Sequence, residues 1–126
     1  AESVLLAVAE SRGIHSDLIP RIATGFCSGV ARTGGMCGAV SGAIMAINLL
    51  AGRSSPAESV DLSYSLTQQL IHRFEEQHGS INCPQLIGCD LATAEGQRTF
   101  QENHLIERCK QYVGDAAGMV MSLVAE

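Results

Sequence analysis

The stretch CGAVSGAIMAINLL, residues 37–50, decides the fold, because it carries no charged and no aromatic side chain. Its apolar side chains recur at the spacing of one helix face: Cys37, Val40, Ile44 and Ile47. Gly38 and Gly42 lie one turn apart and allow a neighbouring helix to approach closely. A bilayer span needs about 20 predominantly apolar residues, and Ser41 and Asn48 interrupt this one. The stretch therefore predicts a helix buried at the centre of a bundle.

Helical patterns precede this central helix. One helix is predicted over residues 2–12, ending at Gly13, and a second begins at Ser16 and Asp17. The second helix is expected to place four apolar side chains on one face: Ile19, Ile22, Ala23 and Phe26. A glycine-rich loop then leads into the central helix, with Gly25, Gly29, Gly34 and Gly35.

A capping signal follows the central helix. Ser55 is a good N-cap, Pro56 fits the first helical position, and Glu58 completes a capping box. These residues predict the start of a helix that ends at Gly79. Its apolar stripe repeats every four residues: Leu62, Leu66, Leu70 and Phe74.

The remaining sequence predicts two more helical elements. Cys83 and Pro84 favour a short turn that ends at Gly88, and a last helix is expected over residues 103–124. Its stripe is Leu105, Cys109, Tyr112, Ala116, Met119 and Leu123. No period-two strand is predicted. We expect one all-α domain over residues 1–126, a compact bundle of about five helices with a Gly-rich loop before the central helix.

Composition and charge narrow the functional classes. The chain is 46% hydrophobic but only 4% aromatic, so its core must consist of small aliphatic side chains. The net charge of −5 and the lack of a basic run argue against nucleic-acid binding. Glu2 and Glu10 interrupt the apolar stretch at the start. We expect no signal peptide, no membrane span and a cytoplasmic location.

The distinctive chemistry is five cysteines, at positions 27, 37, 83, 89 and 109. No pair has CxxC or CxxCH spacing, which argues against a zinc ribbon and against covalent c-type haem. Cys37 and Cys83 are expected at helix N-termini, where N–H groups and the helix dipole favour a thiolate. Cys37 is therefore expected to be the most reactive thiol, with a pKa below the usual value of about 8.5. Against this, free cysteine often packs as a small buried hydrophobe.

The glycine-rich loop does not match a phosphate loop. Gly29 and Gly34 have the Walker spacing, but Gly35 and Met36 stand where lysine and Ser/Thr are required. Arg32 within the loop has two open interpretations, an anion or carboxylate contact and a solvated side chain.

These residues resemble the C_GCAxxG_C_C family of redox-active proteins, and the similarity spans nearly the whole chain. The first matching group is Gly25, Phe26, Gly29, Arg32, Gly35 and the CGAVSGA run at 37–43. The second is HGSINC at 78–83, with Leu86, Ile87, Gly88, Asp90 and Leu91. The third is Cys109 with Tyr112, Val113, Ala116 and Ala117.

The resemblance implies which cysteines matter. It assigns Cys37, Cys83 and Cys109 as redox thiols or metal ligands, and we expect Arg32, Gly35 and Gly38 to contact a bound group. The family usually has a further cysteine just before a segment like AESV at 1–4, a position ahead of residue 1. Cys27 stands where the family generally has glycine, and Cys89 often corresponds to another residue type. Both are extras of this chain.

Three functions stay open at this point. The first is a redox or electron-transfer module in which the cysteines hold an iron–sulfur cluster or another thiophilic metal. The second is a metal-free dithiol–disulfide protein, with Cys37 attacking and Cys83 or Cys109 resolving. The third is a structural or interaction domain. The odd number of cysteines favours a reducing compartment without permanent disulfides. The expected partner is a redox protein, and a homodimer is left open.

Overall fold

The computed structural model describes residues 1–125 and is all-helical, with no strand in that range. A 3-10 helix spans Arg21–Phe26. The seven remaining elements are α1 (Glu2–Ser11), α2 (Cys27–Arg32), α3 (Gly38–Ala51), α4 (Asp61–His78), α5 (Cys83–Ile87), α6 (Ala94–Glu102) and α7 (Ile106–Ala125). The all-α prediction is confirmed, whereas the expected count of about five helices is too low.

Helix α3 lies at the centre, in contact with α1, α4 and α7. These four helices are called the bundle below. A Cβ atom at Gly42 would lie 2.7 Å from Ala1 Cα, so this glycine lets the start of α1 lie directly against α3. The largest fully buried side chains all belong to the bundle: Val4, Val8, Val40, Ile47, Leu70, Phe74, Val120 and Leu123.

The prediction of a second helix that begins at Ser16 and Asp17 is wrong. Residues 13–20 form turns, followed by the 3-10 helix, and the Ile19–Pro20 peptide bond is cis. Pro20 has no N–H to donate and its ring excludes an ordinary α-helical turn before it. Of the predicted apolar face only Ala23 is buried, while Ile22 is 59% exposed.

The segment predicted as a glycine-rich loop contains a regular left-handed turn. Five consecutive residues, 28–32, have positive φ angles, so α2 is a left-handed turn rather than an ordinary helix. Thr33 stabilises the turn, because its hydroxyl donates to the Val30 carbonyl at 2.7 Å. Each non-glycine residue in this conformation costs about 1–2 kcal/mol. The packing around α2 must therefore offset the strain.

Helix α4 begins later than its capping signal predicts. The Ser55 hydroxyl accepts from the Ala57 N–H at 3.3 Å, and the Glu58 carboxylate accepts from the Ser54 N–H at 3.1 Å. This local pattern closes one exposed turn, and the helix itself starts at Asp61. The end at Gly79 is confirmed, with φ 86° and a hydrogen bond to the Glu75 carbonyl.

The last helix, predicted over residues 103–124, is present as α7 and starts slightly later, at Ile106. A further helix, α6, was not predicted; it ends at Glu102, and the chain turns through His104, with φ 53°, before α7. The N-cap of α6 is Thr93, whose hydroxyl accepts from the Gly96 N–H at 2.9 Å. In the described part of the chain, no helix combines the length and the apolar character that crossing a bilayer would require.

Candidate cysteine site

One antiparallel bridge joins the two segments that carry Cys37 and Cys83. The Cys37 N–H donates to the Ile81 carbonyl at 2.7 Å. The Cys83 N–H donates to the Gly35 carbonyl at 2.9 Å. These two hydrogen bonds fix the segment before α3 beside the segment before α5.

The bridge register decides where the two thiols lie. Met36 and Asn82 are the directly opposed pair, so Cys37 and Cys83 both project to the other face of the ladder, because side chains alternate along a strand. They occupy diagonal positions across the bridge. The ladder therefore presents both sulfurs to the same side.

Glycine 29 allows the left-handed turn to close against Cys83. A Cβ atom at Gly29 would lie 2.6 Å from Cys83 Cβ and 3.2 Å from its sulfur. Gly29 also has φ 65° and accepts the Gly35 N–H at 2.9 Å through its carbonyl. The strained turn thus packs directly on one of the predicted site thiols.

Cys109 reaches the same place from α7. Tyr112, one turn further on, donates its hydroxyl to the Leu86 carbonyl at 2.9 Å and thereby ties α7 to α5. The Tyr112 ring also meets the His78 ring edge-on, with centroids 4.9 Å apart. His78 Nε2 in turn lies 3.0 Å from Asp115 Oδ2. These contacts hold α4, α5 and α7 together behind Cys109.

The result is one cavity of about 350 Å³, called the cysteine cavity below. Cys37, Cys83 and Cys109 all line it. Much of the remaining wall is apolar, from Leu86, Ile87, Leu91, Phe100, Ile106 and Val113. Three cysteines that are distant in the sequence are therefore brought together at one end of the bundle.

The other residues predicted to contact a bound group, Arg32, Gly35 and Gly38, occupy two kinds of position. Arg32 and Gly38 line the cysteine cavity. A Cβ atom at Gly38 would lie 3.0 Å from the Ala1 nitrogen, so this position too requires close backbone packing. Gly35 contributes through the bridge, where it holds Cys83 and Gly29. Their roles toward a bound group stay predictions.

Burial dominates the electrostatics of the thiols. Desolvation by burial and, after it, negative charge on Cys37, Cys109 and Cys89 together raise the pKa of Cys83 to about 11. Desolvation and then the charges of Cys37 and Cys89 raise the pKa of Cys109. Burial and mutual repulsion therefore both favour the protonated form of these thiols.

The expectation of a lowered pKa at Cys37 is wrong. Cys37 is the N-cap of α3, as predicted, but its side chain makes no capping hydrogen bond. Desolvation by burial raises the pKa of Cys37 and outweighs the backbone N–H groups of Ala39 and Val40, which lower it. The side chain is only 8% exposed, which the sequence pattern does not reveal.

The two extra cysteines have different positions. Cys27 lines the cysteine cavity together with the three expected thiols. Cys89 follows the C-cap of α5 and lies outside the lining, and burial and the Asp90 charge raise its pKa. All five cysteines are free thiols. Sequence reasoning therefore missed Cys27, and Tyr112 as well, although the Cys-x-x-Tyr spacing from Cys109 placed Tyr112 on the same helix face.

The spacing of these donors is wide. Among residues 1–125, no three His, Cys, Asp or Glu side chains stand close enough together to hold a single metal ion.

Comparison with known proteins finds a family but no individual relative. Residues 1–123 match the model of the family described as "Putative redox-active protein (C_GCAxxG_C_C)". No curated protein and no solved structure gives a significant match. Because the family match covers nearly the whole chain, this protein belongs to the C_GCAxxG_C_C family of redox-active proteins.

Proposed function

We propose that the cysteine cavity is a redox centre that binds an iron–sulfur cluster or another thiophilic metal group through Cys37, Cys83 and Cys109. The observation that carries the proposal is the convergence of these three thiols, from three separate segments, on one largely apolar cavity. Thiolate is the ligand type that selects iron–sulfur clusters and soft metals.

The size of the cavity favours a group of several atoms over a single ion. Two thiolates on one zinc ion, each about 2.3 Å from it, lie at most about 4.6 Å apart. A cluster distributes its thiolate ligands over several iron atoms, so the ligands stand farther apart. A cavity volume of about 350 Å³ leaves room for the larger group.

The residues around the thiols suit this role. When bound, an iron–sulfur cluster supplies one-electron transfer at a potential that hydrogen bonds to sulfur and solvent exposure adjust. The backbone N–H groups of Ala39 and Val40 at the start of α3 favour negative charge on Cys37, because they lower its pKa against the larger effect of desolvation. Much of the cavity wall is apolar, and the Tyr112–Leu86 hydrogen bond ties α7 to α5 beside it.

Ligation would also offset the repulsion between the thiolates. Each thiol must lose its proton to bind a metal, and the raised pKa values of Cys37, Cys83 and Cys109 oppose that loss. A metal cation would compensate the negative charge of the thiolates. Binding would therefore release protons and strengthen as pH rises toward the pKa values of these thiols.

A metal-free dithiol mechanism is the second candidate, supported by the free state of all five cysteines. The acidity of Cys37 is less suitable for this mechanism. Burial raises the pKa of Cys37, so little thiolate is present at neutral pH to attack a disulfide.

The test is metal content and absorption of protein purified without oxygen. We expect bound iron with acid-labile sulfide and a visible sulfur-to-iron absorption band. Replacing Cys37, Cys83 or Cys109 with serine should lower bound iron by roughly tenfold or more, since ligand-shell changes of lesser severity cost 10–100-fold. Cys89→Ser, the matched control outside the cavity lining, should retain it.

Three results would contradict the proposal. One is a colourless protein that takes up neither iron and sulfide nor Cd²⁺. Another is equal iron loss in Cys37→Ser and Cys89→Ser. A metal-free protein that loses two thiols on oxidation and regains them on reduction would support the dithiol candidate instead.

A further inference from the structure

We propose that Cys27, although an extra cysteine of this chain, is the fourth thiol ligand of the cysteine cavity. This inference rests on the proposed function, because it completes the ligand set of the same centre. Cys27 lines the cavity with Cys37, Cys83 and Cys109. It does so from the residue that directly precedes the left-handed segment 28–32, and α2 contributes none of the other three thiols.

Backbone packing places Cys27 beside the start of α3. A Cβ atom at Gly38 would lie 3.4 Å from Cys27 Cα and 3.2 Å from the Phe26 carbonyl oxygen. Gly38 directly follows Cys37 in the chain. The absence of a side chain at Gly38 therefore lets Cys27 lie next to the Cys37 ligand position.

The Cys27 thiol has only long, weak partners at present. Its sulfur lies 3.7 Å from Glu2 Oε1 and 3.9 Å from the Ala23 carbonyl oxygen. The Glu2 carboxylate also accepts the Thr24 hydroxyl at 3.0 Å. Because Cys27 is half-buried and unpaired, rotation between staggered χ1 rotamers can redirect its sulfur without moving the backbone.

The number of ligands that an iron–sulfur cluster needs supports a ligand role for Cys27. Iron–sulfur clusters are usually held by four cysteine thiolates, and Cys27 is the fourth cysteine that lines this cavity. On binding, the Cys27 thiol would lose its proton to solvent and its sulfur would donate an electron pair to the metal. The oxidation state of the metal does not change in this step.

Cysteine footprinting tests the assignment without relying on activity. The full chain is reduced, made metal-free, and divided between a control and a sample loaded with ferrous iron and sulfide, or with Cd²⁺ alone, in the absence of oxygen. Both are alkylated with N-ethylmaleimide, and labelling at each cysteine is followed by mass spectrometry. Loading should slow labelling of Cys27 by at least about tenfold, as for the other three ligands, because a bound thiolate is no longer nucleophilic. Labelling of Cys89 should change less than about twofold.

A matched pair of variants supplies a second readout. Cys27→Ser should reduce the number of Cd²⁺–thiolate bonds, measured by ultraviolet charge-transfer absorption, from four to three, whereas Cys89→Ser should leave four. Circular dichroism confirms that both variants keep their helices.

The outcomes separate the two proposals. If Cys27 is labelled equally fast with and without metal while Cys37, Cys83 and Cys109 are protected, the fourth ligand is not Cys27 and the proposed function stands. If loading protects no cysteine, the proposed function fails and the Cys27 assignment falls with it. An unchanged Cd²⁺–thiolate absorption in Cys27→Ser also overturns the assignment.

Discussion

The bundle differs in backbone regularity and in side-chain burial from the part of the molecule that holds the cysteine cavity, called the cysteine end below. The bundle helices α1, α3, α4 and α7 have regular backbone and fully buried aliphatic side chains. The cysteine end consists of a left-handed turn, a single bridge and the short helix α5. The first region gains free energy from burial, whereas the second holds strained backbone and thiols whose ionisation burial opposes. The difference teaches that stability and chemistry occupy separate parts of this fold and should respond to separate mutations.

The largest expected effect comes from the bundle itself. Leu70→Ala should lower the free energy of unfolding by about 2–5 kcal/mol, because Leu70 is fully buried and its truncation leaves a cavity. Leu62→Ala is the same change on the same predicted stripe, but Leu62 is 61% exposed and should change stability by no more than about 0.5 kcal/mol. Urea denaturation measures both. Equal effects would mean that α4 faces the core differently.

A smaller effect on stability, but a larger one on the site, is expected at the cysteine end. Gly29→Ala places a Cβ atom 2.6 Å from Cys83 Cβ at a φ of 65°, so it should destabilise the fold by about 1–2 kcal/mol or slightly more and reduce Cd²⁺ binding. Gly13→Ala has nearly the same φ, 67°, with no atom within 4 Å. It should cost about 1 kcal/mol and leave Cd²⁺ binding unchanged. Titration with Cd²⁺ separates contact with Cys83 from backbone strain, and equal binding by both variants would refute that contact.

The smallest expected effect compares a true helix cap with a false one. Thr93 accepts the Gly96 N–H at 2.9 Å and begins α6, so Thr93→Ala should cost about 1 kcal/mol. Ser55 caps only an exposed turn, and Ser55→Ala should cost no more than about 0.5 kcal/mol. Thermal unfolding of the two variants checks the order. A larger loss at Ser55 would show that its turn supports α4 after all.

The bundle could be predicted because its information is periodic. The run from Cys37 to Leu50 and the stripe through Tyr112 and Leu123 each place apolar side chains on one helix face. Burial of such a face is favourable whichever helix packs against it. In α4 the same rule succeeded at Leu70 and Phe74 but not at Leu62, because the last is beyond the contact with α3 and α7. Periodicity identifies a helix better than it identifies the end of a buried face.

The cysteine end could be predicted only in part, for physical reasons. Helix α6 buries only Gly96, against the Asp90 backbone, and has no apolar stripe to detect. Its signal was the Thr93 cap alone. The left-handed turn contains Val30 and Ala31, which individually disfavour that conformation, so no local propensity predicts it. The grouping of Cys37, Cys83 and Cys109 followed from family resemblance, whereas the place of Cys27 depended on how Gly38 packs.

The bridge between Met36 and Asn82 limits when, during synthesis and folding, the segments that carry Cys37 and Cys83 can meet. All of α3 and α4 lies between these two residues, so the segments meet only after that helical pair has formed and folded back. A chain emerging during synthesis has Cys27 and Cys37 long before Cys83 and Cys109 exist. The four thiols that line the cysteine cavity can therefore come together only after Cys109 has been synthesised and α7 has packed against α3. Were the proposed metal group bound there, its insertion would follow this late packing step.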